Sequence, residues 1–273
     1  MSVTYLCQKE KLTNMNQILN YNIDLRNADQ VLDTDFKSDL IFADPPYGIT
    51  NLQYDKSGFD IPAFWDFCRR WLAPTGVVVL TSVLKSGLKF IEQAPRGWFR
   101  YDLVWEKTTP TGFLNAKRQP LRNHELILIF SPVAKHVYNP QMTHGHTRKV
   151  SLARHKQGEE SGVYGHANKT DYDSTDRYPK SVCVWKSDKQ RSALHPNQKP
   201  VEMLRWIIRT YTNPGMMVLD PVAGSGTTGV AALLEGRDCV MMEKDEAYSQ
   251  VAQSRIDDII NKIQDEEKTI QTV

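Results

Sequence analysis

Apolar positions along this chain fall into short blocks whose spacing switches between continuous runs and a period near 3.6. Asp39-Leu40-Ile41-Phe42-Ala43 is a compact apolar run that predicts a buried strand. It ends at Asp44-Pro45-Pro46-Tyr47-Gly48, because two consecutive prolines cannot continue a hydrogen-bonded ladder. From Asp60 to Leu72 the residues Ile61, Phe64, Trp65, Cys68, Trp71 and Leu72 share one helical face, which reads as core packing. Asp60 is placed to cap that helix and Pro62 suits its first turn. Pro74 and Gly76 stop it, and Val77-Val78-Val79-Leu80-Thr81 predicts a second buried strand. Lys85 to Gln93 reads as a helix, and Phe99 to Trp105 and Glu125 to Phe130 read as strands.

The first twenty or so residues carry no strong period, and from about Ala134 to Ser192 regularity lapses again. It returns at Pro200, where Val201, Leu204, Ile207, Ile208 and Tyr211 line a helix closed by Asn213-Pro214-Gly215. Met216 to Leu219 and Cys239 to Met242 predict strands, and Thr227 to Leu234 a helix behind a glycine-rich turn. Ala247 to Ile263 is a long amphipathic helix, and the polar residues after it are expected to fray. Alternating strands and helices predict an α/β fold: a parallel sheet with helices on both faces, carrying residues 134–192 as an irregular insert between residues 1–133 and 193–273. In such sheets ligands bind beyond the carboxyl ends of strands, where strand order reverses. Asp44 and Asp220 stand at two predicted strand ends.

Composition narrows the class. The 273 residues are 40% hydrophobic and 24% charged, which excludes wholesale disorder and collagen-like repeats. No apolar run approaches the roughly 18–20 residues needed to span a bilayer, and the opening residues lack the apolar stretch of a secretory signal. The cysteines, at 7, 68, 183 and 239, form no C-x-x-C pair. A disulfide framework or cysteine zinc site is not expected, and a reducing cytoplasm fits. Histidines 144, 146, 155 and 166 match no standard zinc spacing, so no metal is expected.

Charge is balanced in total, 34 Lys and Arg against 32 Asp and Glu, but not in distribution. Residues 107–122 hold Lys107, Lys117, Arg118 and Arg122 and no acid. Residues 135–191 hold eleven bases against six acids, a local excess of the kind that attracts a polyanion. Such side chains contact phosphates and position a duplex, although any one of them fits a solvated loop as well.

Two segments carry chemistry. Asp220-Pro221-Val222-Ala223-Gly224-Ser225-Gly226-Thr227-Thr228-Gly229 follows a strand and opens a helix. Its glycines let the backbone approach a ligand. Gly224, Gly226 and Gly229 have the G-x-G-x-x-G spacing, and Glu243 at the end of the next strand can accept from ribose hydroxyls. No lysine stands where a phosphate loop needs one. Alone, the segment is a weak signal, with a tight strand-to-helix turn that binds no ligand as the alternative. Asp44-Pro45-Pro46-Tyr47 is sharper. A carboxylate and a proline carbonyl offer two acceptors on a stiff backbone, and Tyr47 a flat surface, an arrangement suited to an exocyclic amine on a base.

Together these segments resemble the amino-methylating DNA methyltransferases that use S-adenosylmethionine. Asp44-Pro45-Pro46-Tyr47 is similar to that family's catalytic motif and Asp220 to Gly229 to its cofactor motif. His195-Pro196-Asn197-Gln198-Lys199-Pro200 resembles the segment preceding the cofactor strand in the permuted β-class, whose motif order this chain shares over about residues 22–260. The resemblance implies a Rossmann-like sheet, with 1–133 as the catalytic-motif half, 134–192 as the target-recognition region and 193–273 as the cofactor half. It implies catalytic roles for Asp44, Pro45, Pro46 and Tyr47. It implies cofactor contacts from Asp29, Asp44, Lys199, Asp220, Val222, Ala223, Gly224, Ser225, Gly226, Thr227 and Glu243, and DNA contacts from Lys107, Lys117, Arg118 and Arg122. The family usually has phenylalanine where this chain has Val222, which removes an aromatic cofactor contact. No Pro-Cys dipeptide occurs, so a covalent cysteine route to 5-methylcytosine is unsupported. The initial Asp resembles adenine-N6 members more than cytosine-N4 members. The implied reaction is methyl transfer to adenine N6 in double-stranded DNA, with cytosine N4, an RNA or protein amide substrate, or a non-catalytic DNA-binding relative as alternatives. A cytoplasmic, prokaryotic or phage setting, a homodimer and a restriction-enzyme partner follow from the resemblance alone.

Overall fold

The structure is a computed structural model that describes residues 16–48, 58–152, 171–188 and 198–271. Cys7, His155, His166 and His195 to Asn197 lie outside the described residues.

The strands in chain order are β1 (Ile18–Asn22), β2 (Ser38–Ala43), β3 (Leu72–Ser82), β4 (Phe99–Thr111), β5 (Arg122–Phe130), β6 (Lys149–Ser151), β7 (Tyr172–Ser174), β8 (Val182–Trp185), β9 (Met217–Asp220) and β10 (Asp238–Glu243). The helices are α1 (Ile61–Trp71), α2 (Leu84–Gln93), α3 (Val201–Tyr211), α4 (Thr227–Leu234) and α5 (Glu246–Gln271). Among the described residues, eight strands form one sheet in the order β1-β10-β9-β2-β3-β5-β4-β8.

Alternation along each strand sends neighbouring side chains to opposite faces. Ile41, Ala43, Val78, Leu80 and Leu219 join α1 and α2 in one core cluster. Leu40, Phe42, Val77, Val79 and Val218 join α3, α4 and α5 in the other. The sheet is thus covered on both faces, as a continuous apolar run such as 40–43 requires. In α1 the Asp60 carboxylate caps the Ala63 amide at 3.0 Å, and Phe64, Trp65 and Trp71 are buried. Each such side chain contributes on the order of 1.5–3 kcal/mol of burial. The Trp65 indole N–H donates to the Phe90 carbonyl at 3.2 Å, which ties α1 to α2.

The structure departs from the sequence reading at four places. The sheet is mixed, not parallel: β5 runs antiparallel to both β3 and β4. Only 112–121 join β4 to β5, too few residues for a crossover helix, so the pair closes as a hairpin arm. β1 lies in the stretch without a period; it is a half-buried edge strand pairing only with β10. β8 lies in the irregular stretch yet pairs parallel with β4. Finally, α5 runs to Gln271 instead of fraying after Ile263, because its polar end still has helix-forming residues and a Lys268–Asp265 pair at 3.3 Å.

The chain divides into two compact units, one of residues 1–139 with 181–273 and one of Pro140–Lys180. In the smaller unit β6 pairs antiparallel with β7, Thr143 bridges Arg177, and the Arg148 guanidinium meets both oxygens of Asp173.

Candidate active site

β2 and β9 are neighbours in the sheet and run parallel, with Leu40 opposite Val218 and Ile41 opposite Leu219. Asp44 follows the end of β2 and Asp220 ends β9, so both carboxylates emerge at the same sheet edge. From β2 the chain proceeds to β3 on one side; from β9 it proceeds to β10 on the other. The crevice between them is the topological switch point, where open α/β sheets bind ligands. The Asp44 charge reaches Asp220 and adds to the rise of its pKa.

Around Asp44 the structure builds a compact charged cluster. Oδ1 accepts the Tyr47 hydroxyl at 2.7 Å, the Lys199 ammonium at 2.7 Å and the Thr81 hydroxyl. No described residue donates to Oδ2. Glu125 lies behind this shell. Its Oε2 is 3.2 Å from the Tyr47 hydroxyl and 3.3 Å from Lys199 Nζ, and its Oε1 pairs with Lys107. Two carboxylates and two ammonium groups balance. Lys199 is 6% exposed and Glu125 7%, so neither charge could persist there unpaired.

Protonation follows from these contacts. Burial pushes the Tyr47 phenol well up, and the Asp44 and Glu125 charges push it further, so Tyr47 keeps its proton as a donor. Burial would lower Lys199, but Asp44 and Glu125 outweigh it and raise its pKa, so the ammonium stays charged. Burial would raise Glu125; Lys199 and Lys107 outweigh it and hold the carboxyl below its ordinary range.

The glycine-rich turn forms the second wall. Asp220 is buried, which raises its carboxyl to about 7 against the bonds from the Thr228 hydroxyl and the Val222 amide at 3.0 Å. Glu243, at the end of β10, accepts the Gly224 amide at 2.8 Å and the Asp245 amide at 2.9 Å; burial still raises its pKa. That bond fastens the end of β10 to the turn, so Asp220, Gly224 and Glu243 belong to one surface. Gly226 sits at φ +76°, and a Cβ there would lie 2.7 Å from the Ala252 Cβ, so α4 can start this close to α5 only with glycine. Val222 packs against the core cluster that holds α1. The Arg255 guanidinium on α5 donates to Ser225 and Thr227, each hydroxyl at 3.1 Å.

The site residues expected from the sequence are thus partly brought together. Asp44 and Tyr47 meet Lys199 and Lys107 in one cluster; Lys199 was expected at the cofactor and Lys107 at DNA, and the structure places both on carboxylates of this cluster. Pro45 is buried and Pro46 half-buried between Asp44 and Tyr47. Ala223 donates its amide to the Met242 carbonyl at 3.0 Å within the glycine turn. Asp29 pairs with Arg70 at 2.8 Å on the surface, at the turn that follows β1. Lys117, Arg118 and Arg122 are exposed on the β4–β5 arm, with no carboxylate paired to them among the described residues. Glu125, Thr81 and Arg255 were not singled out by sequence. The usable signal was Glu125, one acid opening the apolar strand Leu126 to Phe130, which demands a buried partner.

A mixed α/β sheet with acids at two adjacent strand ends of its switch point, one followed by a glycine-rich turn, is a Rossmann-like arrangement. The solved structure of the M1.HpyAVI–SAM complex superposes with a TM-score of 0.59 at 23% identity, covering 88% of this chain and all of that one. The cytosine-N4-specific PvuII DNA methyltransferase superposes at 0.57 and 15% identity, covering 93% and 96%. Residues 38–254 match the family model N6_N4_Mtase, described as DNA methylase, and the chain belongs to that family. Among curated relatives, the Type II methyltransferase M.HinfI of Haemophilus influenzae is 28% identical over 256 residues, 81% of this chain and 63% of the relative's length. The Type II methyltransferase M2.DpnII of Streptococcus pneumoniae is 28% identical over 245 residues, covering 80% and 82%.

Proposed function

We propose that this protein is a site-specific DNA methyltransferase that moves a methyl group from S-adenosylmethionine to the N6 amine of an adenine extruded from the duplex. The observation that carries the reading is the division of labour within Asp44. Tyr47, Thr81 and Lys199 occupy Oδ1, which fixes the carboxylate plane and leaves Oδ2 to accept. An exocyclic amine donating to Oδ2 and to the Pro45 carbonyl would be held by both its protons. Its lone pair would then turn out of conjugation and face the glycine wall. Such catalysis is positioning and preorganised electrostatics.

The wall suits the cofactor. Glu243 presents acceptor oxygens beside the turn, which suit a hydroxylated ligand. Glu243 already accepts one amide on each oxygen and retains a lone pair on each for ribose hydroxyls. Asp220, Val222 to Thr227 and Glu243 would hold the cofactor, with Asp29 beside it on the turn after β1. When bound, S-adenosylmethionine supplies an electrophilic methyl group. Asp44 can take the amine proton as the new bond forms, and Glu125 and Lys107 act behind it by positioning Lys199.

Extrusion costs a few kcal/mol, and stacking of the base on Tyr47, worth about 1–3 kcal/mol, offsets much of it. Duplex DNA is the partner that Lys117, Arg118 and Arg122 fit. A second copy of the chain and a restriction enzyme are further partners, testable by sedimentation and co-purification; no helix among the described residues is long and apolar enough to cross a membrane. The test is transfer of a tritiated methyl group to duplex DNA, RNA and protein in parallel. Label in duplex DNA alone, lost in Asp44→Ala while cofactor binding persists, supports the reading. Label in RNA or protein, or an active Asp44→Ala variant, overturns it.

A further inference from the structure

The β4–β5 arm rises from the catalytic cluster. Its root is the pair Trp105 opposite Glu125, and Glu125 touches Lys107, Lys199 and Tyr47. Beyond Lys107 the strands continue to Thr111 opposite Arg122, and a short 3-10 turn, Phe113–Asn115, forms the tip. Phe113 is 76% exposed and Leu114 85%, the two most exposed of the large apolar side chains among the described residues, and they are adjacent. Two adjacent side chains of this size held in water are unfavourable unless something covers them.

The tip is ordered, not slack. Gly112 takes φ +86°, which lets the chain reverse, and backbone bonds run from Asn115 to Gly112 at 2.9 Å and from Arg118 to Asn115 at 2.8 Å. Its charge selects the partner. Lys117, Arg118 and Arg122 follow the apolar pair on the same arm, and no acid occurs between Lys107 and His124. A protein partner or lipid tail would account for the two apolar residues but not for three cations beside them without a carboxylate. A polyanion with an apolar interior accounts for both, and duplex DNA is that object. Apolar wedges that enter between base steps are a general means of unstacking a duplex. Reach also agrees. At about 3.3 Å per residue, Phe113 lies at most about 20 Å along the strand from Lys107, so base steps near a target held at Asp44 come within range.

We infer that Phe113 and Leu114 form a wedge that enters the DNA base stack beside the target as the target base leaves it, while Lys117, Arg118 and Arg122 hold the flanking phosphates. This rests on the proposed DNA methyltransferase reading and assigns the chain's own means of extruding the base. A wedge acts on the cost of opening the pair. Its loss should therefore hurt a paired target and spare one that is already unpaired.

The experiment compares the full-length protein with Phe113→Ala/Leu114→Ala on two duplexes of the sequence the wild type methylates. One has the target base paired, the other has it opposite a mismatch. Both side chains are exposed, so the variant should fold as the wild type does. The expected result is a loss of about tenfold or more in kcat/KM on the paired duplex, with activity on the mismatched duplex within about threefold of wild type. Phe113→Trp should restore most of the paired activity. Equal losses on both duplexes, or no loss on the paired one, overturn the wedge. A fall from dimer to monomer in sedimentation, with equal losses, assigns the tip to a second copy instead. A folded wild type that binds cofactor but methylates no duplex DNA of any sequence removes the enzymatic reading itself and the wedge with it.

Discussion

Lys199→Met removes the one ammonium that touches both Asp44 and Glu125. Lys107 stays on Glu125, so the cluster passes from neutral to one net negative charge. The two carboxylates share the Tyr47 hydroxyl, at 2.7 and 3.2 Å, and so lie no more than about 6 Å apart. At an effective dielectric of about 20 their repulsion is about 3 kcal/mol, or roughly two pH units. One carboxyl then holds a proton to higher pH. If Oδ2 of Asp44 is the acceptor for the amine, the acidic limb of the kcat profile moves up by as much as about two units. Turnover is then lost as pH falls through the raised limb and recovers above it. Removing one member of a buried pair also destabilises the fold, by about 3–5 kcal/mol, so a thermal melt must first show the variant folded at the assay temperature. Adding Glu125→Gln removes the repulsion and should return the limb toward its wild-type position, a coupling that a double-mutant cycle reads directly. Kinetics are measured as tritiated-methyl incorporation from pH 5.5 to 9.5 at saturating cofactor. A variant with reduced turnover but an unmoved acidic limb would refute the electrostatic link between Lys199 and Asp44.

Three other outcomes are expected. Asp44→Ala should lose at least about a hundredfold in turnover with cofactor affinity by calorimetry changed only a few-fold; near-normal turnover contradicts its role. Asp220 has a folded pKa of about 7 against an ordinary 3.8, so the native state binds its proton more tightly and stability falls as pH rises from about 4 through 7, by roughly 4 kcal/mol at most. Asp220→Asn should flatten that slope in urea melts at pH 5 and 8, and an unchanged slope would count against a buried acid there. Gly226→Ala forces a Cβ against Ala252 at a positive φ and should cost about 1–3 kcal/mol, seen as a Tm lowered by several degrees; an unchanged Tm would mean the turn can relax.

Much of this molecule is legible in local pattern. The helices at 61–71 and 227–234 follow from apolar spacing, a capping Asp60 and a glycine turn, because those signals act within a few residues. The strands around Asp44 and Asp220 are legible because both are buried on two faces and leave unbroken apolar runs. Strands β1 and β8 are not: each is short, sits at a sheet edge and is half-exposed, so tertiary pairing decides it. The motif residues Asp44, Tyr47 and Lys199 stand out by type, but their shared contact spans 155 positions of sequence and depends on the order of strands. Glu125 reads as one acid in a strand until the fold brings Lys107 and Lys199 to it. The antiparallel β5 is encoded in the shortness of 112–121, a topological signal that hydrophobic period does not carry.

The most direct measurement is mass spectrometry of nucleosides from unmethylated duplex DNA incubated with the purified protein and cofactor carrying a trideuterated methyl group, with Asp44→Ala in parallel. The expected result is deuterated N6-methyladenine with the wild type and none with the variant. Label in N4-methylcytosine would reassign the base, and label in 5-methylcytosine, or equal label from the Asp44→Ala variant, would contradict an amine clamped by that carboxylate.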